Sequence, residues 1–151
     1  MAIPIVVPDA SVILKWMLRG PDEGVLESAL ALRDAWLEGA IDIVVPTLWI
    51  YEVGNVLGMK QAREAQGLPQ AVIDLAMPEE SAAAYSTDIL EVMHTHGVTF
   101  YDAAYHALAI VQRGTMVTAD RRYVKKSEAK GHVQLIDSWV PPAGSKRPRR
   151  A

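Results

Sequence analysis

The sequence predicts an α/β protein with three layers, in which helices cover both faces of a central parallel sheet of four to five short strands. Short apolar, β-branched runs alternate with segments whose apolar residues recur every three or four positions, which is typical of parallel sheets. The chain has 151 residues, of which 50% are hydrophobic and 22% are charged. This length and composition indicate one globular domain with its own core.

The predicted strands are short and end at turn or helix signals. They cover residues 3–7, 41–46, 115–118 and 132–136, and a brief extended lead-in at 98–100 is the fifth candidate. Pro4 places the start of the first strand just after it, and Pro46 ends the second, because proline cannot donate a hydrogen bond within a sheet.

The predicted helices begin at capping residues and carry apolar stripes with a period near 3.6 residues. They cover residues 10–18, 21–39, 48 to about 65, 78 to about 96, 100–111 and 121 to about 130. Residues 69–77 fit a short helix or a strand equally well, because periodicity does not decide a brief apolar run. The helix over 100–111 is expected to be largely buried.

The composition excludes several classes of protein. Without cysteine the chain has neither disulfides nor thiolate metal sites, which fits a reducing compartment. The N-terminus lacks the features of a signal peptide and no run reaches 18 apolar residues, so we expect a soluble, cytoplasmic protein that does not enter membranes. Residues 1–140 are expected to form the domain, and residues 141–151, rich in proline and basic residues, a disordered tail.

Three acids follow extended segments at the point where a helix begins: Asp9, Asp102 and Asp120. Each fits an ordinary capping or first-turn acid, and Thr99 with Asp102 matches a capping box. In a parallel sheet, however, these positions share the carboxyl edge, where ligands bind. Glu52, one turn into a helix that also follows a strand, can reach the same edge. We therefore expect four carboxylates to converge there.

Four ionised carboxylates need compensation when they share a partly desolvated pocket, because each raises the pKa of the others. A divalent cation supplies that compensation. Oxygen ligands without cysteine or paired histidines favour Mg²⁺ or Mn²⁺ over Zn²⁺. Such a site suits phosphodiester hydrolysis, since the metal lowers the pKa of a bound water and neutralises charge on the phosphoryl oxygens.

Four stretches of the chain, spread over residues 3–136, contain the four acids together with neighbouring polar residues. They are Val-Pro-Asp9-Ala-Ser11, Pro46-Thr-Leu-Trp-Ile-Tyr-Glu52-Val-Gly-Asn55, Thr99-Phe-Tyr-Asp102-Ala-Ala-Tyr-His-Ala-Leu-Ala109 and Val117-Thr118-Ala-Asp120. Together they resemble the motifs of the PIN-domain ribonucleases, and within that family the VapC-type toxins of type II toxin–antitoxin pairs.

The resemblance implies a PIN-like nuclease domain over residues 1–140, acting as an endoribonuclease that hydrolyses RNA phosphodiester bonds with Mg²⁺ or Mn²⁺. It implies products with 5′-phosphate and 3′-hydroxyl ends, a homodimer, and a small antitoxin protein that occludes the site. The implied catalytic and metal-binding acids are Asp9, Glu52, Asp102 and Asp120, and the polar residues that accompany them are Ser11, Asn55 and Thr118.

The histidines near these motifs have two interpretations. His106 lies four residues after Asp102 and shares its helix face, as a metal ligand would, but a polar residue at the pocket rim or a core histidine is the simpler interpretation. His94 and His96 are expected on the surface.

The basic run that follows the fourth motif includes Arg121, Arg122 and Lys125. It either contacts RNA phosphates beside the metal or forms a solvated face.

Two other functions also remain open for the whole protein. A phosphatase of the haloacid-dehalogenase kind needs a second aspartate two residues after the first, where this chain has Ser11. The other is a non-catalytic RNA-binding or interaction module on the same fold.

Overall fold

The computed structural model describes residues 2–18, 25–60 and 68–144. Its strands are Ile5–Pro8 (β1), Asp42–Ile43 (β2), Val45–Pro46 (β3), Glu79–Glu80 (β4), Thr115–Thr118 (β5) and Val133–Leu135 (β6). Its α-helices are Ala10–Lys15 (α1), Leu26–Leu37 (α2), Trp49–Lys60 (α3), Leu68–Ile73 (α4), Ser86–His96 (α5), Phe100–Val111 (α6) and Arg121–Ser127 (α7). Short 3-10 turns occur at Ala82–Ala84, Glu128–Lys130 and Ile136–Ser138.

Four strands form the predicted parallel sheet, in the order β2-β1-β5-β6. Val6 in β1 lies opposite Ile43 in β2, and Val7 lies opposite Met116 in β5. The chain thus passes from β1 to one side and later enters the sheet on the other side of β1. This makes the carboxyl ends of β1 and β5 a topological switch point, where open α/β sheets bind ligands. The prediction of a central parallel sheet flanked by helices is confirmed.

α6 is the helix around which the core is built. Residues 103–109 are all buried, and the helix packs against β1, β5 and α5. Gly97 ends α5 with a φ of 63°, a left-handed conformation that favours glycine, so the chain reverses within a few residues. Thr99 then caps α6 by accepting a hydrogen bond from the Asp102 N–H at 3.1 Å. The prediction of a largely buried helix here is confirmed.

The predicted strand over 41–46 is divided between two sheets. The N–H of Val44 donates to the Val6 carbonyl of β1 at 3.3 Å, but the N–H of Val45 donates to the Pro78 carbonyl at 2.9 Å. The chain therefore leaves the central sheet after Val44, the one residue between β2 and β3. β3 then pairs in parallel with β4 in a second, two-stranded sheet. The prediction of one continuous strand was wrong because the partner of β3 lies far away in the sequence.

The helix expected to begin at Pro78 in fact begins at Ser86. A proline followed by two acids is typical of a helix start. Here, however, the backbone of Glu79–Glu80 pairs with β3. The Glu79 carboxylate also accepts a hydrogen bond at 2.8 Å from Nε1 of Trp49, in the first turn of α3. These long-range contacts override the local pattern and attach α3 to the small second sheet.

Residues 69–77, which fitted helix and strand equally, are helical up to Ile73 in α4. The predicted start of the second helix at Pro21, the end of the third near Ala65 and the tail beyond Gly144 lie outside the described residues. In the parts of the chain that the structure does describe, the helices are too short or too polar to cross a bilayer.

Candidate active site

A pocket of about 330 Å³ lies at the carboxyl ends of β1 and β5. It gathers all four acids that the sequence placed at this edge of the sheet. Its lining includes Asp9, Ser11, Glu52, Asn55, Asp102, Tyr105 and Asp120. Thr118, the remaining polar residue of the motifs, is fully buried and hydrogen-bonded to Asp9. The fold thus brings together side chains from four separate segments.

Asp9 is the most firmly held of the four acids. It caps α1, and its backbone N–H donates to Val117 of β5 at 3.1 Å. Its carboxylate accepts hydrogen bonds from the hydroxyls of Ser11 at 2.5 Å and Thr118 at 2.6 Å, and from the Val12 N–H at 3.3 Å. Both oxygens of Asp9 are therefore fixed in direction before anything binds.

Two successive backbone N–H groups orient the hydroxyls that hold Asp9. The Ala119 N–H donates to Oγ of Ser11, and the Asp120 N–H donates to Oγ1 of Thr118, each at 3.0 Å. Because each hydroxyl accepts from the backbone, its own proton is directed toward Asp9. Ser11 and Thr118 therefore order a carboxylate, the role that the resemblance implied for them.

Burial nevertheless disfavours the charged form of Asp9. The residue is only 8% exposed, and desolvation raises its pKa from 3.8 to about 6, although the bonds from Ser11 and Thr118 lower it. The charge of Asp102 adds a smaller upward shift. The ionised form of Asp9 is therefore disfavoured in the pocket, and a cation beside it would stabilise this form.

Asp102 interacts electrostatically with each of the other three acids of the pocket. Burial raises its pKa, and the charge of Asp120 raises it further, while the Thr99 hydroxyl lowers it. The charge of Asp102 in turn raises the pKa of both Asp9 and Glu52. The charge of Asp102 is therefore coupled to the charges of the other three acids.

Tyr105 is a site residue that the sequence interpretation missed. Its hydroxyl donates to Oε1 of Glu52 at 2.7 Å, and its ring is almost fully buried. Burial raises the pKa of Glu52 and the bond from Tyr105 lowers it. The signal was available, because Tyr105 lies one turn after Asp102 in the same motif. On an apolar helix, however, the sequence pattern does not distinguish this tyrosine from the core residues around it.

We predict that Tyr105→Phe lowers the free energy of unfolding by about 1.5–3 kcal/mol, the contribution of a hydrogen bond to a charged group. The pKa of Glu52 should rise further, because the variant removes the bond that lowers it. Urea denaturation and NMR titration of the carboxyl group measure the two effects. Tyr85→Phe is the matched control, since its buried hydroxyl has no hydrogen-bond partner among the described residues. Equal behaviour of the two variants would contradict the assignment.

His106 is a core histidine and does not line the pocket. It is fully buried, and both ring nitrogens are hydrogen-bonded, to the Tyr123 hydroxyl and to the Gly131 carbonyl. The simpler interpretation of this residue therefore holds. His94 is exposed, as expected. His96 is half-buried instead, and its ring stacks on that of His106 with centroids 6.1 Å apart, so the expectation of a surface position was wrong for His96.

The basic residues after Asp120 lie outside the pocket lining. Asp120 caps α7 by accepting from the Tyr123 N–H at 3.1 Å. Arg121, Arg122 and Lys125 are exposed on α7, and Arg121 forms an ion pair with Asp137. These three basic side chains therefore lie close in sequence to one acid of the pocket but do not line it.

The donor chemistry of the pocket fits a hard divalent cation, although the carboxylates are not gathered into a compact ligand set. Within residues 2–18, 25–60 and 68–144, no three His, Cys, Asp or Glu side chains are placed to hold a metal ion together. The charged lining of the pocket that these residues form is nonetheless entirely acidic. Carboxylates that raise one another's pKa are stabilised when a cation enters between them.

Comparison with known proteins identifies the family to which the chain belongs. The family model of the PIN domain matches residues 6–129. A protein named Exonuclease VapC9 from Pyrobaculum aerophilum is 27% identical over 123 residues, which cover 76% of this chain and 90% of that protein.

Two solved structures have the same fold. A toxin–antitoxin complex from Klebsiella pneumoniae superposes with a TM-score of 0.63 at 14% identity, covering 87% of this chain and 97% of that one. Mycobacterium tuberculosis VapC20, described as a Sarcin-Ricin loop cleaving toxin, gives 0.62 at 15% identity, covering 91% and 99%. These likenesses concern the fold alone. Because the family model spans most of the sequence, the chain belongs to the PIN domain family.

Proposed function

We propose that this protein is a Mg²⁺- or Mn²⁺-dependent endoribonuclease that hydrolyses RNA phosphodiester bonds. The observation that carries the proposal is a single pocket whose charged lining consists of four carboxylates. We assign metal binding and catalysis to Asp9, Glu52, Asp102 and Asp120. A bound cation would supply an activated water and neutralise charge on the phosphoryl group.

The residues of the chain contribute orientation and electrostatics. Ser11 and Thr118 hold the Asp9 carboxylate in one direction. Tyr105 holds Glu52, which reaches the pocket from α3. Asn55 lines the same wall one turn after Glu52, where its amide can bond to a water or a phosphate oxygen. The pocket is open to solvent, as a polymeric substrate requires.

Family membership supports nuclease activity and leaves the mode of cleavage to be measured. The relative from Pyrobaculum is named an exonuclease, whereas we propose cleavage within the RNA chain. A circular single-stranded RNA has no ends, so only an endonuclease degrades it. Incubation of the purified protein with circular and linear RNA, in Mg²⁺, Mn²⁺ or EDTA, distinguishes the two modes.

We expect both RNAs to be cut with either metal and neither to be cut in EDTA. Asp9→Asn should be inactive, while Glu38→Gln, which changes an exposed acid at the end of α2, should match the wild type. Degradation of linear RNA alone would establish an exonuclease. Intact RNA with every metal would favour a non-catalytic module, and release of phosphate from a monoester without RNA cleavage would favour a phosphatase.

We further propose that the protein is the toxin of a toxin–antitoxin pair, acts in the cytoplasm, and forms a homodimer. A small antitoxin protein would occlude the pocket. Light scattering on the free protein should give about twice the 16.5 kDa mass of one chain. A mass of one chain at working concentration would rule out the dimer. Growth arrest on expression, relieved by Asp9→Asn or by the product of an adjacent small gene, would support the toxin assignment.

The basic residues of α7 are proposed to contact RNA phosphates. We predict that neutralising Arg121 and Arg122 together reduces the slope of log affinity against log salt by about 1–2, one unit for each phosphate that an arginine no longer neutralises. Binding measured from 50 to 300 mM KCl in EDTA separates affinity from cleavage. Arg113→Gln is the control, because Arg113 follows α6 at the opposite edge of the sheet. An unchanged slope would assign these residues to a solvated face.

A further inference from the structure

Three of the polar side chains in the first two turns of α6 point to different parts of the structure. Asp102 lines the pocket, and Tyr105 donates to Glu52 of α3. His106, one turn after Asp102, contacts the first turn of α7. The proposed chemistry assigns no role to His106, although the side chain is fully buried and completely hydrogen-bonded.

The hydrogen bonds of His106 define which nitrogen carries the proton. Nε2 lies 2.8 Å from the Gly131 carbonyl oxygen and Nδ1 lies 2.7 Å from the Tyr123 hydroxyl. A carbonyl oxygen only accepts, so Nε2 donates. Burial lowers the pKa of His106 and favours the neutral ring, so Nδ1 accepts from the Tyr123 hydroxyl. The Tyr123 ring also meets the imidazole edge-on, with centroids 5.6 Å apart.

These two bonds hold α7 at both ends. Tyr123 lies in its first turn, and Gly131 follows the 3-10 turn at its end. A helix of seven residues is too short to be stable by itself, so contacts with the rest of the protein determine its orientation. The N–H of Tyr123 also donates to Oδ1 of Asp120 at 3.1 Å. Tyr123 therefore connects His106 directly to an acid of the pocket.

We propose that His106 and Tyr123 are positioning residues that set the place of Asp120 relative to Asp102. Asp102 and His106 lie one turn apart on α6, and Asp120 and Tyr123 lie three residues apart at the start of α7. A bond between His106 and Tyr123 thus fixes the two acids against each other. The inference rests on the proposed function, because the separation of the acids matters only if they share a cation or a substrate.

Tyr123→Phe is the central test, because it removes one hydroxyl and keeps the ring. We expect Mn²⁺ binding, measured by calorimetry without RNA, to weaken about 10–100-fold, the range for residues that orient metal ligands. The kcat should fall by a similar factor while the KM for RNA stays within about twofold. Tyr85→Phe, which also removes a buried hydroxyl, should leave the Mn²⁺ affinity, the kcat and the KM unchanged.

Two substitutions of the histidine separate its two bonds. Asparagine places an acceptor near the position of Nδ1, and glutamine places a donor near the position of Nε2. We expect His106→Asn to bind Mn²⁺ more tightly than His106→Gln, because only the asparagine places its acceptor oxygen near the Nδ1 position that faces Tyr123. The reverse order would overturn the proposal. Spectra of ¹⁵N-labelled histidine should show the proton of His106 on Nε2, and a proton on Nδ1 with Nε2 bare would also overturn it.

A stability control separates positioning from general loss of structure. Ile41→Val shortens a buried side chain just before β2 that does not line the pocket, and costs about 0.5–1.5 kcal/mol. If Ile41→Val weakens Mn²⁺ binding as much as Tyr123→Phe does, the positioning role is wrong. If the wild type neither binds Mn²⁺ nor cleaves RNA, the proposed function fails instead. If the wild type is active and Tyr123→Phe keeps its full activity and Mn²⁺ affinity, the positioning role is refuted and the proposed function stands.

Discussion

Replacing Asp102 by asparagine is expected to abolish RNA cleavage and to stabilise the protein. Loss of a residue that orients a metal ligand already reduces activity by about 10–100-fold, so loss of the central acid should reduce it by at least about 100-fold. The same change removes a charge that raises the pKa of both Asp9 and Glu52. The free energy of unfolding should therefore rise by about 0.5–1 kcal/mol, the size of an interaction between partly exposed charges.

Three measurements on the same preparation test these effects. Thermal unfolding in EDTA should give a Tm about 1–4 °C higher than that of the wild type. Calorimetric titration with Mn²⁺ should show weaker binding, and RNA cleavage should be abolished. Asp88→Asn, which removes an acid from the first turn of α5, serves as the control for a general charge effect. A variant that is destabilised, or that binds Mn²⁺ like the wild type, would remove Asp102 from the centre of the site.

The metal-free protein is expected to become less stable as the pH rises from about 4 to 6, relative to Asp9→Asn. Burial raises the pKa of Asp9 from 3.8 to about 6, so the folded state binds this proton more tightly than the unfolded chain does. The contribution to stability is therefore complete below pH 4 and is lost as the pH passes through 6. Its total size is about 3 kcal/mol, since one pKa unit corresponds to 1.36 kcal/mol.

Urea denaturation of both proteins in EDTA, at pH 5 and pH 7.5, measures this contribution. Between these two pH values the wild type should lose about 1–2 kcal/mol more than Asp9→Asn, since part of the change lies below pH 5. Asparagine cannot ionise, so the variant removes the titration and keeps the size of the side chain. Parallel behaviour of the two proteins would mean that Asp9 titrates normally and that the pocket does not disfavour its charge.

The location of the pocket was predictable because it depends on a general property of parallel sheets. Asp9 and Asp120 follow strands that end at one edge, and this holds whatever the details of packing. The helix of Asp102 was equally clear from its cap and its apolar stripe. Local patterns therefore identified the acids, the strands that present them and the central sheet.

The remaining features depend on contacts between distant parts of the chain. Glu79 and Glu80 resemble a helix start, and only their pairing with β3 makes them a strand. Tyr105 and His106 resemble core residues of a buried helix, and only the positions of α3 and α7 show what their polar atoms meet. Burial of a polar side chain is visible in a sequence pattern, but the identity of its partner is not.

The transfer of the chain at Val44 from one sheet to the other gives Glu52 a support that the other three acids of the pocket do not have. Asp9, Asp102 and Asp120 belong to the central sheet and the helices packed on it. Glu52 belongs to α3, which rests on the pairing of β3 with β4. We therefore expect redesign of that small pairing to move Glu52 more than the other three acids, and so to change the width of the pocket.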